Sequence, residues 1–220
     1  MNVLTGTDAG TGRLTGRHGH VEVRRLDPGE ALPEGAAGTE SAVVVLSGTL
    51  SGLDRGATLF LPPGGPADLT AGPEGAALLL VRAGGAERPT VATPLPDGTD
   101  HVSSAVLAAG GGFSDMRVRW LVCGSAGGST RLVVATSTFA PDGHHELHRH
   151  PSAEEFFMVL DGSGEHLTET GAIRLGPGDV VLVGAGEWHG YRTDPGVTTT
   201  TVYGYLGAAS LDEAGYEVRA

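Results

Sequence analysis

The sequence predicts an all-β protein made of two tandem β-barrels. Three observations support this fold class. The 37 glycines and 13 prolines are spread between short apolar runs, which is typical of strands joined by turns. Those runs are rich in β-branched or aromatic residues, and helical periodicity is weak throughout. Hydrophobic residues make up 40% of the chain, which is enough to build a core.

The predicted strands fall into two groups, separated by a stretch rich in Gly, Pro and Ala. In the first half they are Val21–Leu26, Ala42–Leu46, Thr58–Leu61 and Ala76–Val81. In the second half they are Asp115–Cys123, Arg131–Phe139, Glu155–Leu160, Val180–Val183 and Thr198–Leu206. Each run is short and bounded by Gly, Pro or Asp, as the strands of sandwiches and barrels are.

The two halves repeat one plan. The run VVVLSG ending at Gly48 matches FMVLDG ending at Gly162, and GATLFLPPG from Gly56 matches GDVVLVGAG from Gly178. The second copy carries extra residues around Ser163–Pro177, which predict a longer hairpin. We therefore expect an N-terminal barrel over residues 1–95 and a C-terminal barrel over residues 96–220. Two unrelated domains that share turn chemistry are the alternative.

Composition excludes several classes of function. A net charge of −12 would repel a phosphate backbone, so we expect no nucleic-acid partner. All basic residues are arginine, which excludes Schiff-base chemistry on lysine and a phosphate loop that uses lysine. The single cysteine, Cys123, cannot form an intramolecular disulfide. We find no apolar run long enough for a membrane helix and no signal-peptide pattern, so we expect no membrane partner and a cytoplasmic location.

Candidate metal ligands are concentrated in the second half. Within the segment HHELHRH, His148 and His150 are two residues apart, so a strand would point both to one face. Glu155 opens the next predicted strand, and His189 follows the turn GAGEW. Imidazole nitrogens and a carboxylate are the ligands that a divalent transition metal prefers. The spacing predicts one mononuclear centre with two adjacent positions of a six-coordinate metal left open.

These two blocks resemble the metal-binding motifs of the cupin superfamily. The first motif corresponds to Gly143, His148, His150, Glu155 and Gly162. The second corresponds to Gly178, Gly186 and His189, with Gly184 where the family has proline and Thr193 where it has asparagine. The resemblance implies RmlC-like jelly-roll barrels and one divalent transition metal, with iron, manganese, nickel and zinc all compatible with these ligands.

The first half lacks the ligand set. The positions that align with the four ligands are Glu34, Ala36, Ser41 and Ala67. Because a lone glutamate cannot hold a metal, the resemblance implies a bicupin whose N-terminal barrel is degenerate. We expect that barrel to serve packing, dimerisation or coverage of the other barrel's mouth, and we expect a homodimer.

Strand alternation predicts residues around the metal. Phe157 and Val159 share a face with Glu155 and should line the barrel interior. Tyr203 and Tyr205 share a face of a later strand. Phe157, Val159 and Tyr203 are therefore candidate substrate-binding residues.

Tyr191 shares a face with the ligand His189 and could donate a hydrogen bond to a substrate. Together with Glu155, it is a candidate catalytic residue. Arg119 or Arg131 could bind a substrate carboxylate. Residues expected at the surface or packed under the barrel mouth are His144, His145, His166 and Trp188.

The ligand motif predicts a metalloenzyme that acts on a small polar metabolite, and we favour a dioxygenase. The same motif is compatible with an isomerase, a lyase, a cyclase or an enzyme that forms an N–N bond, because a fold does not determine a reaction. The alternatives from other classes are a non-catalytic binding module for a small molecule and a storage or scaffold protein. An intact ligand set argues against the scaffold, because packing does not require four such residues in a barrel interior.

Overall fold

The computed structural model describes residues 1–6, 11–64, 68–85, 99–103, 113–125 and 127–219. The first strands are β1 (Asn2–Leu4), β2 (Gly12–Thr15), β3 (Gly19–Leu26), β4 (Thr39–Leu50), β5 (Thr58–Leu61) and β6 (Ala71–Gly84). The next are β7 (Thr99–Ser103), β8 (Phe113–Val122), β9 (Val134–Arg149), β10 (Glu154–Asp161) and β11 (Gly164–Thr168). The last elements are β12 (Gly171–Leu175), β13 (Val180–Val183), β14 (His189–Thr193), β15 (Thr199–Leu206), the helical turn α1 (Leu211–Ala214) and β16 (Glu217–Val218).

The strands form two antiparallel sheets, which confirms the all-β fold class. The smaller sheet has the order β2-β3-β6-β4-β5. The larger sheet follows the path β1-β13-β10-β15-β9-β14-β11-β12, with β8 and β16 also paired to β9 and β7 paired to β8. The N-terminal strand β1 belongs to the larger sheet, where Val3 lies opposite Val181. The domain boundary predicted at residues 95 and 96 lies outside the described residues. No helix in the described ranges is long and apolar enough to span a membrane.

A strand overlaps each predicted run, and two of them, β5 and β13, have the predicted bounds. Cys123, residues 131–133 and Thr198 were predicted to be strand residues but lie outside the observed strands. The predicted extra hairpin is formed by β11 and β12. Strand β9 runs past its predicted end through the irregular residues Asp142 and Gly143. Asp142 has a φ of 66°, and a Cβ on Gly143 would come within 2.8 Å of two carbonyl oxygens. Glycine is therefore required at the point where β9 turns toward the metal ligands.

Alternate residues of β10 face opposite sides of the larger sheet. Phe156 and Met158 pack against Val44 and Leu79 of the smaller sheet in one buried cluster. Their neighbours on the strand, such as Phe157, face the other way and contribute to the interior of the C-terminal barrel. The smaller sheet thus covers one outer face of that barrel. These contacts agree with the packing role predicted for the N-terminal half.

Two buried carboxylates join the halves of the chain. Glu40 of β4 accepts hydrogen bonds from the side chains and backbone of residues 129–131, at 2.7–3.0 Å for the shortest contact of each donor. Glu154 of β10 accepts hydrogen bonds from the backbone N–H groups of Arg17 and His18, at 2.7 and 2.8 Å. Each half therefore supplies a carboxylate to backbone donors of the other half.

The positions that align with the metal ligands in the first half carry no comparable cluster. Glu34 and Ala36 are exposed in the connection between β3 and β4, and Ser41 is buried in β4. Ala67 lies outside the described residues. The degenerate state of the N-terminal cupin and the homodimer stay predictions.

Candidate metal centre

Three strands bring the four predicted ligands together. His148 lies on β9 directly opposite His189 of β14, His150 follows the end of β9, and Glu155 lies near the start of β10. Each residue offers one ligand atom, and these atoms all lie within 4.8 Å of one another. The three histidines are 2% exposed and Glu155 is 6% exposed. The predicted ligand set is therefore one buried cluster.

Backbone carbonyl groups orient the three imidazole rings. Nδ1 of His148 lies 2.8 Å from the carbonyl oxygen of Glu146, and Nδ1 of His189 lies 2.9 Å from that of Glu187. Nδ1 of His150 lies 2.6 Å from the carbonyl oxygen of Gly215 in the C-terminal segment. Since a carbonyl oxygen only accepts hydrogen bonds, each Nδ1 carries the proton and each Nε2 presents a lone pair to the cluster.

The fit of a metal to these residues follows from their lone pairs. Nε2 of all three histidines is buried without a hydrogen-bond partner in the described structure. Oε2 of Glu155 lies 3.0 Å from Nε2 of His150 and 3.4 Å from Nε2 of His189. An unprotonated imidazole nitrogen and a carboxylate oxygen are both acceptors, so their close approach requires a cation between them. Three nitrogen ligands and one oxygen ligand suit a divalent transition metal.

In the metal-free protein a proton can stand in for that cation. Burial lowers the pKa of His189, but the charge of Glu155 and the hydrogen bond from Nδ1 to the carbonyl group of Glu187 outweigh burial and raise that pKa above the ordinary value. Burial raises the pKa of Glu155, but His189 and His150 outweigh burial and hold that pKa well below its ordinary range. Burial holds the pKa of His148 well below its ordinary value. Glu155 therefore carries its negative charge at neutral pH.

A cavity of about 250 Å³ adjoins the ligands. Its lining is mainly aromatic and aliphatic. The aromatic residues of the lining, apart from histidines, are Phe113, Trp120, Phe139, Phe157, Tyr191, Tyr203, Tyr205 and Tyr216. Met116, Val118 and Leu211 are its other apolar side chains. Polar groups are supplied by Ser137, His145 and His166 and by the hydroxyl groups of Tyr205 and Tyr216.

Two histidines expected at the surface lie in this cavity lining. The ring of His145 stacks on the ligand His148 at a centroid distance of 3.7 Å, and its Nε2 lies 2.9 Å from the hydroxyl group of Tyr216. His166 is 1% exposed, and its ring is parallel to that of His189 at 6.0 Å. Burial lowers the pKa of both His145 and His166 to about 3, so both are neutral at pH 7. The expectation of surface positions for these two residues is wrong.

Strand irregularity explains why His145 was missed. The register between β9 and β14 shifts between His189 and Tyr191, so that His145 pairs with Tyr191 although His148 pairs with His189. Strict alternation would have placed residue 146, and not residue 145, on the face of His148. His166 pairs with Tyr191 across β11 and β14, and both residues lie in the cavity lining. That register depends on the hairpin and cannot be obtained from spacing alone.

The predicted pocket residues divide into those in the lining and those outside it. Phe157, Tyr191 and Tyr203 lie in the lining, whereas Val159 is fully buried in the barrel core outside it. The hydroxyl group of Tyr191 points toward Gly164, where a Cβ would come within 2.5 Å of it. Burial raises the pKa of Tyr191 to about 12. Tyr191 therefore contributes its ring to the wall of the cavity.

The structure places Arg119 and Arg131, the residues predicted to bind a substrate carboxylate, outside the described cavity lining. On β8, alternation directs Met116, Val118 and Trp120 toward the cavity and leaves Arg119 exposed. Arg131 precedes β9, where its backbone N–H bonds to Glu40 of the N-terminal half. Neither arginine belongs to the cavity lining.

Trp188 also lies outside the cavity lining. Its ring is partly exposed beside the ligand His189 and is covered by the guanidinium groups of Arg149 and Arg219, at 4.8 and 5.8 Å from the centroid. Trp188 thus contacts two guanidinium groups beside the ligands and lies outside the cavity lining.

The C-terminal segment completes the centre, and spacing did not predict this role. Strand β16 pairs with the end of β9, where Val218 lies opposite His148. The segment supplies the carbonyl group of Gly215 to His150, and it places Leu211 and Tyr216 in the cavity lining. The mouth of the C-terminal barrel is therefore covered by the chain's own C-terminal segment.

Residues 135–201 match the family model of the cupin domain. This segment of the chain is similar to a cupin domain. The matched range contains all four clustered residues, whose donor atoms suit one divalent transition metal.

Solved structures share the fold across most of the chain. An oxalate decarboxylase from Bacillus subtilis, from a study of its Mn(II) centres, has 16% identity and a TM-score of 0.63, with 94% of this chain and 74% of that chain covered. A formate complex of the Lactobacillus farciminis oxalate decarboxylase has 12% identity and a TM-score of 0.64, with 94% and 83% covered. The Bacillus subtilis enzyme at pH 4.6 has 17% identity and a TM-score of 0.63, with 94% and 73% covered. At such identities the likeness shows the jelly-roll cupin fold alone. A search of curated proteins found no match.

Proposed function

We propose that this cupin is a metal-dependent dioxygenase that oxidises a small organic molecule bound in the cavity beside His148, His150, Glu155 and His189. The observation that carries the proposal is a buried set of four ligands that adjoins a mainly apolar cavity. A metal held by four protein ligands keeps positions for exogenous ligands, and a redox-active metal there supplies the activation of dioxygen. Both oxygen atoms of dioxygen would enter the product.

The protein's own residues would hold the substrate and control protons. Glu155 is the single carboxylate among the described lining residues, so its carboxylate is the group available to accept a proton from a bound substrate. Tyr205 packs its ring against His150 at 4.6 Å, and burial raises its pKa well above the ordinary value. Its phenol group therefore stays protonated and can donate a hydrogen bond to an anionic oxygen of the substrate. The aromatic walls make the surroundings of these groups less polar than water, which strengthens these interactions.

A lyase is the second candidate. The fold is shared with oxalate decarboxylases, one of which was studied for its Mn(II) centres. A decarboxylation or another non-redox reaction needs a metal that polarises the substrate and needs no dioxygen. A binding module without turnover is the remaining candidate.

The experiment compares turnover in air and under argon. The metal-free protein is loaded separately with iron, manganese, nickel or zinc, and each form is incubated with candidate substrates while oxygen consumption is recorded. A dioxygenase consumes oxygen and incorporates label from ¹⁸O₂ into the product. Equal turnover under argon would favour the lyase, and turnover that survives His148→Ala would place the chemistry elsewhere.

A further inference from the structure

The charge of the cavity restricts its ligand. A dication bound to Glu155 and three neutral histidines leaves a single positive charge at the centre. Among the described lining residues there is no arginine, lysine or aspartate, and Glu155 is the single glutamate. A singly charged chelating ligand would neutralise the centre, whereas a dicarboxylate would leave a buried negative charge without a partner. Such an unpaired charge is strongly unfavourable in an apolar site.

The shape and the polarity of the walls add a second restriction. Trp120 and Tyr203 lie at a centroid distance of 6.3 Å on one side, and Phe157 packs beside Tyr191 at 4.8 Å on another. Aromatic walls favour contact with a flat apolar group. A cavity of about 250 Å³ fits one small ring system.

One residue of the lining, His166, has a buried polar atom without a hydrogen-bond partner in the described structure. That atom is its Nδ1. A buried polar atom of this kind is costly unless a partner fills the site. A hydroxyl or carbonyl oxygen of a ligand would provide that partner without adding charge.

We propose that the cavity binds planar, mainly apolar ligands that chelate the metal through an enol–carbonyl or phenol–carbonyl pair of oxygens, and that it rejects dicarboxylates such as oxalate. This inference rests on the proposed metal centre and specifies its substrate class. It replaces the small polar metabolite with a bound carboxylate that the sequence suggested. It also separates this chain from the substrate named for the enzymes that share its fold.

The experiment measures ligand affinity in the metal-loaded, full-length protein. Metal content is determined first, since protein that binds no stoichiometric metal would refute the proposed function itself. The Mn(II) form is then titrated with benzoylacetone, acetylacetone and oxalate by calorimetry. Burial of the phenyl ring should make benzoylacetone bind about 10- to 100-fold more tightly than acetylacetone. Oxalate should bind more weakly than both. Oxalate that binds as tightly as benzoylacetone to the loaded protein overturns the inference and leaves the metal centre standing.

Matched variants on one strand test the role of the wall. Trp120→Ala should reduce the ratio of the affinities for benzoylacetone and acetylacetone to a few-fold, because the phenyl ring of benzoylacetone loses its contact with the indole. Arg119→Gln, on the exposed face of the same strand, should leave all three affinities unchanged. A second readout is quenching of Trp120 fluorescence by benzoylacetone in a Trp188→Phe background, which requires no turnover. Quenching by benzoylacetone without quenching by oxalate supports the inference, and equal quenching by both contradicts it.

Discussion

Gly190 is the position where one methyl group should disturb the metal centre most directly. It follows the ligand His189 and lies at the register shift between β9 and β14. A Cβ at this position would lie 2.5 Å from the carbonyl oxygen of His145 and 2.9 Å from that of Glu146. Ordinary contacts of a Cβ begin near 3.4 Å, so the two strands would have to separate by several tenths of an ångström. We therefore predict that Gly190→Ala moves His189 away from His148.

The expected magnitude follows from the tolerance of metal sites. Ligand distances in such sites are held to about ±0.2 Å, which is smaller than the separation that Gly190→Ala demands. Displacement of supporting groups commonly lowers metal affinity by about 10- to 100-fold. The crowding itself should lower the free energy of unfolding by about 1–3 kcal/mol.

Calorimetric titration of the metal-free protein with Mn(II) or Zn(II) measures the first effect, and thermal unfolding measures the second. Gly171→Ala is the matched control, since a Cβ there meets no atom within 4 Å and the residue lies in the hairpin of β11 and β12. If Gly190→Ala binds metal with the affinity of the unaltered protein, the argument that this contact sets the spacing of the two histidines is refuted.

Three further perturbations test other parts of the structure. Glu40→Gln should lower the free energy of unfolding by about 1–3 kcal/mol, because it weakens buried hydrogen bonds between the halves, while metal affinity measured by calorimetry should not change. Removal of residues 208–220 should lower metal affinity by about 10-fold or more, because His150 loses the carbonyl group of Gly215; equal affinity of the truncated, folded protein would contradict this. Metal affinity should fall on acidification and rise with pH. The reason is that the pKa of His189 is raised, so a proton competes with the metal for its Nε2 even above the ordinary pKa of 6.5. Calorimetric titrations over a series of pH values measure this effect.

Local patterns predicted the parts of the protein that depend on local geometry. The alternation of Phe156 and Phe157 between two faces requires only that β10 be a strand, and both residues lie where the period of two places them. The ligand pair His148 and His150 follows from the same rule. This pair could therefore be predicted before any long-range contact was known, whereas Glu155 and His189 were added by the resemblance to the cupin motifs.

Features that depend on register between distant strands could not be predicted in this way. The shift at Gly190 brings His145 into the cavity, and the pairing of β11 with β14 does the same for His166. The C-terminal segment reaches His150 through Gly215, across a separation in sequence that no motif encodes. Each of these contacts is a consequence of how three or more strands align, and one misplaced residue in a register reverses which side chains face inward.

The same distinction explains why the ligand set and the substrate are separate questions in this fold. Four side chains determine that a metal is held, and their spacing is short enough to be recognised in the chain. The identity of the substrate depends on which face of β8 points inward, because that choice places Trp120 in the cavity and Arg119 outside it. A shift of β8 by a single residue would exchange these two side chains and would give the centre the cation that a dicarboxylate needs. Chains with the same metal ligands can therefore bind substrates of opposite character, and the aromatic wall observed here argues for an apolar chelating ligand.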